Sequence, residues 1–115
     1  MMADEILLVF TTLPDRDSAQ RMATALIENR TAACVNILSA CNSVYRWQSK
    51  IETADEIPVL IKTTRAAYPE MEKFIRTHHP YELPEIIAVS VAAGLPVYLQ
   101  WVAQEVSSKN HATKE

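Results

Sequence analysis

Two extended segments, Ala33 to Trp47 and Ile51 to Thr64, are joined only by Gln48-Ser49-Lys50. They restrict the fold more than any other part of the chain. Both are rich in β-branched and aliphatic residues. Period-two stretches occur at Ala33/Val35/Ile37 and Tyr45/Trp47, and Ile57, Val59 and Ile61 share one face. Asn42-Ser43 mark an expected kink or bulge in the first segment. Pro58 lacks a ladder donor and places its point of the second at an edge or a bulge. Strands of about 14 residues extend roughly 45 Å at about 3.3 Å per residue. A compact chain of 115 residues has a radius of gyration near 13 Å and a diameter of roughly 35 Å. The hairpin must therefore bend back on its own sheet or project beyond the globule. A projecting hairpin offers unpaired backbone groups and the rings of Tyr45 and Trp47, which favours a closed cyclic oligomer.

The flanking segments supply the rest of one domain over residues 1–115, with 107–115 expected as a frayed polar tail. Glu5 to Thr12 reads as a short buried strand ended by Pro14. Asp15 to Arg30 is helical, with Ala19, Met22, Ala23, Leu26 and Ile27 on one stripe. Asp17 and Gln20 form a candidate capping box, and Arg30 suits the negative end of the helix dipole. A second helix covers Ala66 to His79, with Pro69 in its first turn and Met71, Phe74, Ile75 and His78 on one stripe. Pro84 to Ala92 is a buried strand. Leu95, Tyr98, Leu99, Val102, Ala103 and Val106 mark a C-terminal helix from which Trp101 points away. The order β-α-β-β-α-β-α predicts an α+β chain: the ferredoxin-like split βαβ arrangement with an antiparallel sheet and one added helix.

Composition narrows function. Apolar residues make up 49% and charged residues 22%, as in soluble globular proteins. A formal net charge of −3 gives no general attraction to nucleic acid. The N-terminal apolar run Ile6 to Phe10 is too short for a membrane span and lacks a basic leader, so the expected location is cytoplasmic, without membrane association. Cys34 and Cys41 sit an odd number of positions apart on an extended segment and are expected unpaired. Gly94 is the only glycine, which excludes Gly-rich phosphate loops and the Gly-x-Ser-x-Gly elbow. No aromatic lies in Val59 to Thr63 to stack a base, which excludes an RNA-recognition motif.

The segment HHPYELPEI, His78 to Ile86, leaves three readings open: a helix end, a metal or ligand site, and an acid/base pair. Pro80 stops a helix and Pro84 presets a strand, so both histidines can simply terminate the helix. A metal reading needs both imidazoles and further donors. Adjacent helical residues diverge by about 100°, and no Cys-x-x-Cys or His-x-x-x-His supplies the remainder.

Five short motifs in order, AACVNIL (Ala32 to Leu38), SVYRW (Ser43 to Trp47), IKT (Ile61 to Thr63), HHPYELPEI and YLQWV (Tyr98 to Val102), resemble the CutA divalent-ion tolerance family over residues 5 to 106. The resemblance implies a homotrimer assembled like the PII signalling proteins. It also implies a link to tolerance of copper and other divalent ions, with copper(II) or another divalent cation as ligand, no organic cofactor and no established reaction. It maps the family's paired copper histidines to His78 and His79, and puts Thr11 where a cysteine accompanies them. A hydroxyl is a poor replacement for a soft ligand, so the expectation is copper(II) held by imidazole nitrogen and oxygens. Gln48-Ser49 stand where a glycine is common, and Ser90 where proline is common. Tyr45, Trp47, Lys62, Tyr81 and Glu85 match the family's intersubunit cleft, as ligand contacts or as interface anchors, with Lys62 and Glu85 a candidate cross-strand ion pair. The expected function is a trimeric metal-tolerance protein without catalysis. The alternative is a PII-like trimer binding a small anion through Lys62 or a protein partner. An enzyme using His79 and Glu85 as acid and base comes last, for want of a nucleophile.

Overall fold

A computed structural model describes residues 5–114, with side chains described through residue 106. The elements are β1 (Ile6–Leu13), α1 (Arg16–Glu28), β2 (Cys34–Ile37), β3 (Cys41–Trp47), β4 (Lys50–Thr64), α2 (Tyr68–His78), β5 (Ile86–Ser90) and α3 (Pro96–Lys114). All strand pairings are antiparallel, in the order β2-β4-β1-β5, with β3 pairing β4 alone. α3 carries its helical backbone into the polar stretch read as a fraying tail, whose side chains lie outside the described residues.

The alternation of β1 and β4 builds two unlike faces. Leu7, Val9, Leu13, Ile57, Val59 and Ile61 point toward Ala19, Met22 and Leu26 of α1 and Met71 and Ile75 of α2, and together they form the core. The opposite face carries Leu8, Phe10, Leu60 and Lys62, with Ile87 and Val89 on β5. α3 lies against β4 and β1, burying its Val102 and Val106. Ile87 and Val89 remain 55% and 58% exposed.

Ala33 to Trp47 is not one strand. The break lies at residues 38–40, not at Asn42-Ser43. Pro58 explains the position. Its carbonyl accepts the Leu38 N–H at 3.0 Å, and an extended residue presents its N and C=O to the same side. The donor that proline lacks would therefore face the gap between β2 and β3. Pro58 sits in a central strand after all, at the one place where the partner is interrupted. Asn42 pairs regularly with Asp55, and its side-chain amide donates to the Asp55 carboxylate at 3.2 Å.

β3 and the first half of β4 form an arm. Its two-residue turn puts Gln48 and Ser49 at φ 51° and 70°, the left-handed geometry that matches strand twist. Val44 and Ile51 on the arm are 65% and 70% exposed, so the hairpin does not fold back onto its sheet. The molecule measures 49 × 31 × 24 Å with a radius of gyration of 15.2 Å, against about 13 Å for a compact chain of this length.

Helix ends follow local chemistry. Asp15, rather than Asp17, caps α1, accepting the Ser18 N–H at 2.8 Å; Asp17 lies in the first turn, facing the positive dipole end. Arg30 takes the left-handed position past the C-cap at φ 62°. Its guanidinium reaches across to α3, donating to the Glu105 carbonyl at 3.3 Å and pairing with its carboxylate at 3.8 Å. α2 stops because Pro80 forces His79 into extended backbone, φ −79° and ψ 139°.

Candidate functional site

The paired histidines separate as soon as the helix ends. His78, the last residue of α2, keeps an exposed ring stacked on Phe74 with centroids 4.0 Å apart. Its Nδ1 lies 2.9 Å from the Phe74 carbonyl oxygen. His79, in extended backbone, turns inward and is 8% exposed. Its Nε2 lies 2.7 Å from the Thr12 carbonyl oxygen, and its Nδ1 accepts the Tyr81 N–H at 3.1 Å. The stripe expectation had the order reversed: His79, not His78, meets the buried layer, because the proline unwinds the last turn.

His79 belongs to a polar cluster at the root of the arm. Glu56, where β3 and β4 begin to run together, is only 8% exposed. Its carboxylate accepts the Thr12 hydroxyl at 3.3 Å and the Tyr81 hydroxyl. Burial, the Glu56 hydrogen bond and the nearby charges of Glu56, Tyr45 and Asp15 together hold the Tyr81 phenol well above its ordinary range. Burial pushes the His79 imidazole below its ordinary 6.5, opposed by its bond to Thr12 and the Glu56 carboxylate. The His79 and Tyr81 rings lie 4.8 Å apart. The cluster thus holds a carboxylate, two phenols, a hydroxyl and an imidazole whose charged form is disfavoured by burial.

Glu56 and Thr12 escaped the sequence reading. Each looks like an ordinary strand residue, and only the β1–β4 register, with Thr12 opposite Pro58, brings them together. Tyr45 and Tyr81 do join the cluster. Trp47 stays at the arm tip opposite Lys50. Glu85 is exposed just before β5 and shares no described ion pair with Lys62. Lys62 sits farther along β4, where its ammonium donates to Asn36 Oδ1 and lies 4.0 Å from Cys34 Sγ. Tyr98 of α3 also bonds the Cys34 side chain. Both cysteines are free.

A closed metal site formed by His78, His79 and Thr11 does not fit. The Thr11 hydroxyl is buried without a partner on the helix-facing side of β1, the two imidazoles diverge, and both nitrogens of His79 are engaged. Among the described residues no three His, Cys, Asp or Glu side chains are placed to hold a metal ion. None of the described helices is long and apolar enough to cross a membrane.

Fold and site define a class: a small α+β chain with a projecting β-arm, an open sheet face and a satisfied polar cluster at the arm root. The family model described as CutA1 divalent ion tolerance protein matches residues 7–105. The divalent-cation tolerance protein CutA of Thermus thermophilus is 40% identical over 101 residues, covering 88% of this chain and 96% of that protein. Mouse protein CutA is 41% identical over 103 residues, covering 90% of this chain and 58% of that protein. The chain thus spans little more than half the length of that mammalian relative. The crystal structure of CutA from Xylella fastidiosa superposes with a TM-score of 0.85 at 46% identity, covering 88% of this chain and 97% of that one. The chain belongs to the CutA1 divalent ion tolerance protein family.

Proposed function

We propose that this protein serves divalent-cation tolerance as a non-catalytic homotrimer that binds copper(II) or another divalent cation. The observation that carries the proposal is the arm, whose Val44 and Ile51 are 65% and 70% exposed in one copy. Residues this apolar on a projecting hairpin gain most when a second copy covers them. The open face with Ile87 and Val89 extends the same apolar surface. The strand order β2-β4-β1-β5, with β2 and β3 as one interrupted strand, supports a ferredoxin-like subunit of the PII-like kind. The cleft between copies is then walled by Tyr45, Trp47 and Tyr81. Cation contact within the histidine pair is at the exposed His78, through an open site completed by water or oxygen donors. The site of action is cytoplasmic, although relatives are named for other compartments, as in "Protein CutA, chloroplastic" of Arabidopsis thaliana.

Sedimentation equilibrium together with copper(II) titration tests this reading. A mass three times that of the chain, with saturable copper(II) uptake by the trimer, is expected. A folded single copy at micromolar concentration refutes the assembly, and no uptake refutes the cation role.

A further inference from the structure

We infer that Cys34 and Lys62 form a reversible oxidation site, in which dissolved oxygen joins the Cys34 sulfur to the Lys62 side-chain nitrogen through one bridging oxygen atom. The inference stands apart from the proposed cation role and uses none of the residues placed in it.

Cys34 on β2 and Lys62 on β4 are direct partners in the antiparallel ladder, so their side chains leave the same face of the sheet. There the Lys62 ammonium lies 4.0 Å from Cys34 Sγ. Two neighbours hold the pair in place. Asn36, two residues along β2 and so on the same face, accepts from the Lys62 ammonium through its Oδ1. Tyr98 of α3 bonds the Cys34 side chain. Cys34 and Lys62 are half-buried beside the exposed Asn36 and Tyr98, a setting that a small oxidant can enter. Cys41 is the internal control: its sulfur lies 3.8 Å from Ser43 Oγ, and among the described residues no amine is bonded to it.

The flexible lysine stem lets the nitrogen close the 4.0 Å gap around one inserted oxygen. The Lys62 ammonium first gives one proton to water. The step then converts one thiol, one amine and one dioxygen into one bridge and one water. The S–H bond, one N–H bond and the O=O bond break, while an S–O and an O–N bond form. Sulfur and nitrogen each give up two electrons, and dioxygen takes all four. One of its oxygens stays in the bridge, and the other leaves as water with the two displaced hydrogens. A dithiol reductant returns the four electrons, restoring thiol and amine and releasing the bridging oxygen as water. Without an amine beside it, an oxidised sulfur proceeds through sulfenic to sulfinic and sulfonic acids. The bridge also removes the Lys62 charge and adds a covalent clamp to β2, an edge strand otherwise tied to β4 by its ladder hydrogen bonds.

Mass spectrometry of the full-length chain tests the site. The reduced protein is held in air-saturated buffer, remaining thiols are alkylated with iodoacetamide, and intact and peptide masses are read. The expected product carries one added oxygen and lacks two hydrogens, and it maps to a linked peptide pair containing Cys34 and Lys62. Dithiothreitol is expected to abolish the link and return Cys34 to alkylation. Cys41→Ser is expected to keep the bridge. Lys62→Arg keeps the positive charge without a primary amine and is expected to lose the bridge completely. Amide exchange across β2 is expected to be slower in the bridged chain than in the reduced one. A wild-type Cys34 that stays a free thiol, or that oxidises to an acid or a disulfide without linking Lys62, overturns the assignment. So does a bridge mass that survives Lys62→Arg, and equal exchange in the two forms overturns the clamp. The wild-type peptide map decides the assignment even where Lys62→Arg fails to fold.

Discussion

Thr11 is fully buried on β1, and its hydroxyl finds no hydrogen-bond partner. A buried hydroxyl without a partner costs about 1–3 kcal/mol in desolvation, and valine has the same shape without that cost. Thr11→Val is therefore expected to stabilise the protein by about 1 kcal/mol, read as a higher urea midpoint at unchanged m-value. An unchanged or lowered midpoint would show that the hydroxyl is satisfied in solution. His79 makes a pH prediction with a definite sign. Its folded-state value is depressed by burial, against the pull of the Thr12 carbonyl and the Glu56 carboxylate, so the unfolded chain binds the proton more tightly. Its contribution to stability is complete above the unfolded value of about 6.5 and is lost as pH falls from there toward the depressed folded value. The Tyr81 phenol, pushed up by burial and the Glu56 hydrogen bond, does not titrate in that window. Urea midpoints measured across it should fall with pH in the wild type and fall less in His79→Gln. Parallel slopes would assign the effect to another group.

Among the elements, α1 and the arm show how one residue sets a boundary. The cap of α1 is Asp15, whose side chain accepts the Ser18 N–H, so Asp15→Ala is expected to cost about 1 kcal/mol in chemical denaturation. Asp17→Ala loses only a first-turn charge and should cost no more than a few tenths of a kcal/mol; equal losses would contradict the assignment. The sequence offered both aspartates before the same apolar stripe, and spacing alone does not choose between them. The arm turn holds Gln48 and Ser49 at positive φ without glycine, a strain of about 1 kcal/mol for a residue with a Cβ. Ser49→Gly is expected to recover part of it, measured as slower amide exchange across β3. Pro58 was legible as an interruption of the ladder, but not as the cause of the gap at 38–40. That needed the register against β2, in which Ile37 faces Val59.

For the whole molecule, the decisive quantity is apolar area left open by one copy. Ile51→Glu and Val44→Glu change residues that touch little within the chain, since both are largely exposed. Their thermal unfolding as isolated chains should stay within about 0.5 kcal/mol of wild type. Their sedimenting mass is expected to fall below that of the wild-type assembly. If the mass is unchanged, the arm is not an assembly surface. The α+β class, the order of elements apart from the break at 38–40, the α1 stripe apart from Ile27, which is 42% exposed, the stripe residues Met71 and Ile75 of α2 and the excess length of the hairpin were determined by the sequence itself. Periodicity, proline placement and chain length act over a few residues, and local sterics and hydrophobic patterning settle them. Tertiary structure decided the partners of Glu56, the inward turn of His79 and the separation of Lys62 from Glu85. Those depend on which strand lies beside which and in what register, a choice made by packing the whole core at once rather than by any single stretch of chain.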